Sequence, residues 1–275
     1  MSEPFWHHPS TLAEALALRG ELGEEALPVA GGTYVGALLA TGLMQPPAAF
    51  ISLRGLEELR GVACAGGRVA LGALVTHRQV ERDARLRSGG FEALANAFGT
   101  VANVRIRTVA TVGGVLADAD YASDPPAMLC ALGAEAVLAS PRGERRLSIE
   151  ALILGHYRTA IEPDELLVRV EVPRPESAIY LKFRSRSSED RPCVGVAVAR
   201  GDGLRVVVGA VADRPQILPE ACALADGAAL TPDLREEIAA RYGEGIDALA
   251  DLRGSAGYRR RVTRVLVRRA LEAVA

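Results

Sequence analysis

Two glycine doublets, each beside a hydroxyl, are the residues here best suited to hold a phosphorylated cofactor. The first reads Val29, Ala30, Gly31, Gly32, Thr33 and Tyr34; the second reads Ala110, Thr111, Val112, Gly113, Gly114 and Val115. A glycine has no Cβ, so its backbone N–H can come close to an anion, and a helix opening at Thr33 adds its positive end. A pyrophosphate would fit between two such turns. Taken singly, a doublet is only a turn, as Gly66-Gly67 and Gly89-Gly90 in the same chain illustrate. Two further residues stand out. Lys182 is the only lysine in an arginine-rich chain, which suggests a compact charge is needed there. Asp124, followed by two prolines, reads as a helix N-cap or as a polar ligand, and the sequence weighs both equally.

The elements that must position these residues follow from periodicity. Thr11 with Glu14 forms a capping box for an N-terminal helix. Residues 27–30 form a short strand ending at Gly31, a helix runs over 33–41, and 49–53 form a second strand, a small parallel unit with a crossover. A strand at 68–73 precedes a helix capped by Thr76 and Gln79, and another helix spans 90–98. Residues 100–123 show no clear period and read as an ordered loop. A helix follows Asp124, a hairpin joins 134–139 to 145–149, and 166–172 is the last strand before a linker at Pro173, Arg174 and Pro175. Three more strands are expected at 178–183, 193–199 and 204–211, then helices, the last over 256–274 with Val262, Val265, Leu266, Ala270 and Val274 inward and its arginines outward. The fold class is therefore α+β, with a two-part domain over 1–174 and a second domain over 175–275.

Composition removes several alternatives. No run approaches the roughly 20 apolar residues of a membrane span, and the first residues lack a secretory pattern, so a cytoplasmic location is expected. Cys64, Cys130, Cys193 and Cys222 are far apart with no C-x-x-C pair, so neither a zinc knuckle nor an iron–sulfur cage is suggested, and buried free thiols are expected. The four histidines have no metal-ligand spacing. Neither G-x-G-x-x-G after a strand, nor a P-loop, nor a G-x-S-x-G elbow is present. A formal charge of -2 gives no reason to expect nucleic acid binding.

From end to end the chain resembles the FAD-binding medium subunits of the molybdenum hydroxylases, the family that includes carbon monoxide dehydrogenase and xanthine dehydrogenase. The resemblance runs through an opening phrase at 5–9, the turn at Ala30 to Tyr34, LGALVTH at 71–77, Ile106-Arg107, the second turn at Thr111 to Val115, ADADYASDPPAML at 117–129, PDELLVRVEVP at 163–173 and the ending YRRRVTRVLVRRAL. It implies FAD held non-covalently in a PCMH-type domain, with the two turns enclosing the pyrophosphate. It also implies Asp124 on the ribityl or nearby hydroxyls, and Leu167 and Lys182 against the isoalloxazine. There Lys182 would tune the flavin by favouring its reduced anion.

By the same resemblance this chain carries no molybdenum and no iron–sulfur cluster. Those belong to a large molybdenum-cofactor subunit and a small 2Fe-2S subunit, from which electrons would reach FAD and leave to NAD, a quinone or oxygen. Three positions depart from the family pattern: Val115 replaces an asparagine, Tyr34 a small polar residue and Tyr121 a frequent proline. These departures keep open two other readings, a stand-alone FAD-dependent oxidoreductase and a scaffold without flavin.

Overall fold

The computed structural model describes residues 3–184, 186–187 and 189–275. The chain begins with β1 (Phe5–His7), α1 (Leu12–Leu22), β2 (Ala26–Val29), α2 (Thr33–Ala40) and β3 (Ala49–Ser52). β3 lies between the other two strands and runs parallel to both, with Phe5 opposite Ala49 and Val29 opposite Ser52. As the central strand it is buried along its whole length. The sequence pattern gave β2 and β3 but not β1, which at three residues is too short to show a period. Thr11 caps α1 as expected, although the Glu14 carboxylate reaches back to Ser10 rather than to Thr11.

A second unit opens with the hairpin β4 (Val62–Ala65) and β5 (Arg68–Gly72). Short helices follow: α3 (His77–Arg82), α4 (Ala84–Ser88), α5 (Glu92–Gly99), α6 (Val104–Arg107), α7 (Val112–Asp118) and α8 (Pro125–Ala131). Then come β6 (Glu135–Ser140), β7 (Gly143–Ser148), α9 (Ile149–Leu152), the small hairpin β8 (Ile153–Gly155) and β9 (Arg158–Thr159), and β10 (Leu166–Pro173). The five-stranded antiparallel sheet has the order β4-β5-β10-β6-β7. A bulge between Leu167 and Arg169 shifts the alternation of β10, so that Leu167 and Val170 both join the core under the helices while Leu166 and Val168 face the first unit.

The expected loop at 100–123 is a correction: it holds α6 and α7. Both are too short for apolar periodicity to register, and each is fixed by a side-chain cap, Asn103 on the Ile106 amide and Thr111 on the Gly114 amide.

The C-terminal part is the antiparallel sheet β11 (Ser177–Phe183), β12 (Val194–Arg200) and β13 (Leu204–Gly209), followed by α10 (Pro219–Cys222), α11 (Pro232–Gly245) and α12 (Ala256–Ala273). One face of this sheet packs under α11 and α12, through Val196, Val198, Val206 and Leu266. The other contributes Tyr180, Ala197, Ala199 and Val207 to the core of the second unit, beside Ala127 and Leu129 of α8. β12 is covered on both sides, which is why its sequence is an unbroken apolar run. The segment read as a linker is tied down as well: Pro173 ends β10, and the Arg174 amide donates to the Gly67 carbonyl.

Three inward or outward assignments differ. Val265 is exposed, while Arg259, counted among the outward arginines, is fully buried, where it donates to the Ala210 carbonyl and pairs with Asp251 at 2.5 Å. Cys64 is exposed, and the other three free cysteines are buried.

Candidate functional site

The first turn is shaped by close approach. A Cβ on Gly31 would lie 2.1 Å from the Val109 carbonyl oxygen, so only glycine lets this turn rest on the segment that leads into the second one. Gly32 has φ +69, the left-handed conformation that glycine adopts without strain, and it turns β2 into α2. Among the described residues the amides of Gly31, Gly32, Thr33 and Tyr34 have no hydrogen-bond partner. They open beside a groove of about 700 Å³ lined by Val29, Ala30, Gly31, Gly32, Trp6 and Ser52, beyond the carboxyl ends of the three parallel strands. Crevices at such strand ends are where open parallel sheets bind nucleotides.

The second turn differs from the first in one respect. Its amides are committed within the protein: Val112 N donates to the Val75 carbonyl, Gly113 N to the Ala73 carbonyl, Gly114 N to Thr111 Oγ1 and Val115 N to the Thr111 carbonyl. A Cβ on Gly113 would meet Ala73 Cβ at 2.7 Å, so this glycine lets α7 lie on the end of β5. The doublet therefore serves packing and offers no nest of free donors. His77 holds the turn from behind. Its Nε2 lies 3.2 Å from the Thr111 carbonyl oxygen, the His77 amide donates to the Ala110 carbonyl, and burial lowers the imidazole pKa to about 4. The ring is neutral near pH 7, so Nε2 carries the proton that reaches Thr111.

Asp124 and Lys182 come together in a buried cluster. Lys182 Nζ is 3.0 Å from Asp124 Oδ2 and 2.9 Å from the Thr100 carbonyl oxygen, and Tyr180 Oη donates to Asp124 Oδ1 at 2.7 Å. Asp124 is thus no ordinary N-cap: it starts α8 with no side-chain bond to the helix and spends its carboxylate on β11. Burial pushes its pKa up, an effect that the Lys182 charge opposes. Both side chains are almost completely shielded from solvent. Lys182 has three N–H donors and uses two, which leaves one for a ligand. Leu167 is a core residue of β10, and Val115 packs partly buried against the same core.

Sequence reasoning missed the residues that join these parts. Tyr34 and Tyr121 are linked by a chain of rings: Tyr34 to Tyr157 at 5.3 Å between centroids, Tyr157 to His156, and His156 to Tyr121 at 4.9 Å. Tyr157 takes φ +58 and its amide donates to the Ala119 carbonyl, where Ala119 is itself left-handed at φ +46. One hydrogen bond thus ties together two non-glycine residues in the left-handed conformation. Tyr121 Oη continues the chain to Asp251 at 2.6 Å. The Tyr34 hydroxyl is buried, and burial first and the neighbouring Tyr157 hydroxyl second raise its pKa. Nearby, Asp120 pairs with Arg191, and Asp118 beside them has its pKa raised to about 7, by burial first and by the Asp120 charge second. The only sequence signal was the pair of departures at 34 and 121; nothing local connects them to 156 and 157. No group of histidines, cysteines or acids among the described residues could hold a metal.

A crevice of free amides at parallel strand ends, with no metal ligands, defines a nucleotide-cofactor protein, and comparison gives the class. Residues 1–175 match the family described as "FAD binding domain in molybdopterin dehydrogenase", residues 179–274 match "CO dehydrogenase flavoprotein C-terminal domain", and the chain belongs to this family of FAD-binding subunits. Among its relatives, the carbon monoxide dehydrogenase medium chain of Afipia carboxidovorans is 32% identical, over 97% of this chain and 95% of that protein. The glyceraldehyde dehydrogenase medium chain of Sulfolobus acidocaldarius is 29% identical, over 96% of each. Among solved structures, the reconstituted CO dehydrogenase from Oligotropha carboxidovorans superposes with TM-score 0.93 at 30% identity, over 99% of this chain and 97% of that one.

Proposed function

We infer that this chain is the FAD-holding electron-transfer subunit of a molybdenum hydroxylase complex. In that complex it receives electrons from iron–sulfur clusters of a small 2Fe-2S partner, fed in turn by a large molybdenum-cofactor subunit, and delivers them to NAD, a quinone or oxygen. The observation that carries the reading is the set of unpartnered amides at Gly31, Gly32, Thr33 and Tyr34, beside a crevice that Gly31 and Gly32 line. A bound FAD would exchange one-electron for two-electron chemistry. The residues of the chain bind and orient it. The first turn takes the pyrophosphate, Gly114 and Val115 line its other side, and Asp124 with the spare Lys182 donor meets the ribityl and flavin end near Leu167. His77 keeps the second turn rigid. In this reading residues 1–174 form the FAD-binding unit and 175–275 the unit that supplies Lys182. Four free cysteines suit a reducing, cytoplasmic compartment, and no helix of the described residues is long and apolar enough to cross a membrane.

The test is the absorbance spectrum and the released cofactor of the chain purified alone and again after co-expression with large molybdenum and small iron–sulfur subunits. FAD at one per chain and co-purification of both partners are expected. A colourless chain in both preparations would overturn the reading.

A further inference from the structure

We propose that Arg107 is a positioning residue for the flavin site: it fixes the turn whose Thr100 carbonyl holds Lys182, and so sets the direction of the spare Lys182 donor. The consequence at the flavin rests on the FAD reading above, whereas the hold of Arg107 on Lys182 stands on contacts within the chain.

Lys182 comes from β11, and two groups of the second unit restrain its Nζ. Asp124 opens α8, and Thr100 caps the end of α5. An ammonium is a compact point charge that can swing about a single carboxylate. The Thr100 carbonyl, 2.9 Å from Nζ, supplies the second fixed point. With two of three N–H donors fixed, the direction of the third is fixed as well. Whatever orients the Thr100 carbonyl therefore orients Lys182.

Thr100 leads into Val101 and Ala102, the short connection between α5 and the Asn103 cap of α6. Three consecutive carbonyls of this turn accept from cationic side chains. Thr100 takes Lys182, while Val101 at 2.9 Å and Ala102 at 2.8 Å both take Nη1 of Arg107. Ala102 stands at φ +41, a left-handed conformation that costs a residue with a Cβ, and the Arg107 bridge across the two carbonyls holds it there. Because peptide units are planar, a rotation at Val101 or Ala102 turns the neighbouring units with it.

The guanidinium is itself anchored. Its Nε donates to Glu81 Oε2 at 3.0 Å, and Arg78 donates to the other oxygen of the same carboxylate at 2.7 Å. A Cβ on Gly99 would come within 3.1 Å of Glu81 Cγ, so the glycine lets this carboxylate lie against the end of α5. The Arg107 side chain is only 13% exposed, deeper than an ordinary surface pair. The contacts thus run without a break from Glu81 of α3 through Arg107 and the 100–102 turn to Lys182 and Asp124.

Lys182 is the sole lysine of the chain, so an amine-reactive ester reads its position without interference from another side chain. Its side chain is 2% exposed, and in the folded wild type it should label slowly, as followed by the mass of the peptide that carries it. Arg107→Met should speed this labelling about tenfold, well below the melting temperature of the variant, by letting the turn open locally. Arg78→Met, which leaves both carbonyl bonds of Arg107 in place, should label like the wild type. In the FAD-loaded chain Arg107→Met should shift the two-electron equilibrium constant about tenfold towards oxidised flavin, a fall in midpoint of about 30 mV. The double variant with Lys182→Met should match Lys182→Met alone.

Unchanged labelling in Arg107→Met overturns the proposal, as does a rate raised equally by Arg78→Met, which is general loosening. Additive midpoint shifts overturn it as well, because Arg107 would then act on the flavin by its own charge. If Arg107→Met does not fold, Arg107→Gln, which keeps a donor for one carbonyl, is read by the same outcomes. A midpoint that ignores Lys182→Met sinks the placement of Lys182 at the flavin, a different failure, and labelling then decides the hold of Arg107 on Lys182 by itself.

Discussion

Replacing Lys182 with methionine separates two roles that the buried cluster could give it. Methionine keeps the length and packing of the stem and removes the charge. Asp124, 3.0 Å away, then loses its buried ion-pair partner and keeps the Tyr180 hydroxyl and the charge of Arg184. Breaking a buried pair by removing one partner costs about 3–5 kcal/mol, and at roughly 2–4 °C per kcal/mol for a chain of this size class the melting temperature falls by roughly 6–20 °C. Burial already pushes the Asp124 pKa up, and the loss of Lys182 raises it further. The carboxyl can escape the penalty by binding a proton, so the loss should be larger at pH 8 than at pH 5. Adding Asp124→Asn should restore most of the stability at pH 8, a coupling that a double-mutant cycle measures. The third donor of Lys182 gives a second readout. If it meets the flavin as one charged hydrogen bond of about 1.5–3 kcal/mol, the two-electron midpoint of FAD-loaded Lys182→Met falls by roughly 30–60 mV. Thermal unfolding and spectroelectrochemistry follow the two effects independently. A melting temperature within a degree or two of wild type at pH 8 would refute the buried-pair argument. An unchanged midpoint would remove Lys182 from the flavin.

The second turn should loosen in acid: His77 has its folded pKa lowered to about 4 from 6.5, so its contribution is complete above pH 6.5 and is lost as pH falls towards 4. The whole effect is about 3 kcal/mol at about 1.4 kcal/mol per unit. His77→Gln should flatten this part of the pH–stability curve, and an equally steep loss in the variant would show that another group is responsible. Gly31→Ala drives a Cβ into the Val109 carbonyl at 2.1 Å. Parting the two turns should cost about 1–3 kcal/mol and abolish FAD retention, whereas Gly61→Ala, with no atom near its Cβ and no left-handed backbone, should keep the flavin; a yellow Gly31→Ala protein would contradict the geometry. Arg259→Met should destabilise the C-terminal sheet by about 1–3 kcal/mol because it leaves the buried Ala210 carbonyl without this donor and removes one of the two arginines on Asp251, which keeps Arg253 and Tyr121. Hydrogen exchange in α12 reads this directly, and wild-type protection would count against it.

The parts of the site legible in sequence are those whose signal is local. A glycine doublet after a short apolar run announces a turn, and Thr76 with Gln79 or Asp124 before two prolines announces a helix start, because each acts through its immediate neighbours. What the doublets do was not legible. Gly31 is required by Val109, and Gly113 by Ala73, contacts between segments far apart in the chain. Helices of four and seven residues at α6 and α7 passed as loop because a single turn has no period to detect. Arg259 looked like a surface arginine because residue type sets the expectation for burial, and only its distant partners Asp251 and the Ala210 carbonyl reverse it. Tyr34 and Tyr121 were visible as departures from a pattern, yet their meeting through Tyr157 and His156 depends on α2 and two separate loops converging.

The way β12 is covered on both faces bears on how such a chain can change over time. Its C-terminal sheet cannot be traded for a relative's version as a self-contained cassette at the 173–175 seam. The side of the sheet that carries Tyr180, Ala197 and Val207 is moulded to Ala127 and Leu129 of α8, and the lysine beside it neutralises the carboxylate that opens that helix. A chimera joined there would inherit two half-interfaces from different ancestors. Successful recombination would therefore carry α8 and the C-terminal sheet as one inherited block, leaving the N-terminal parallel unit as the freer piece.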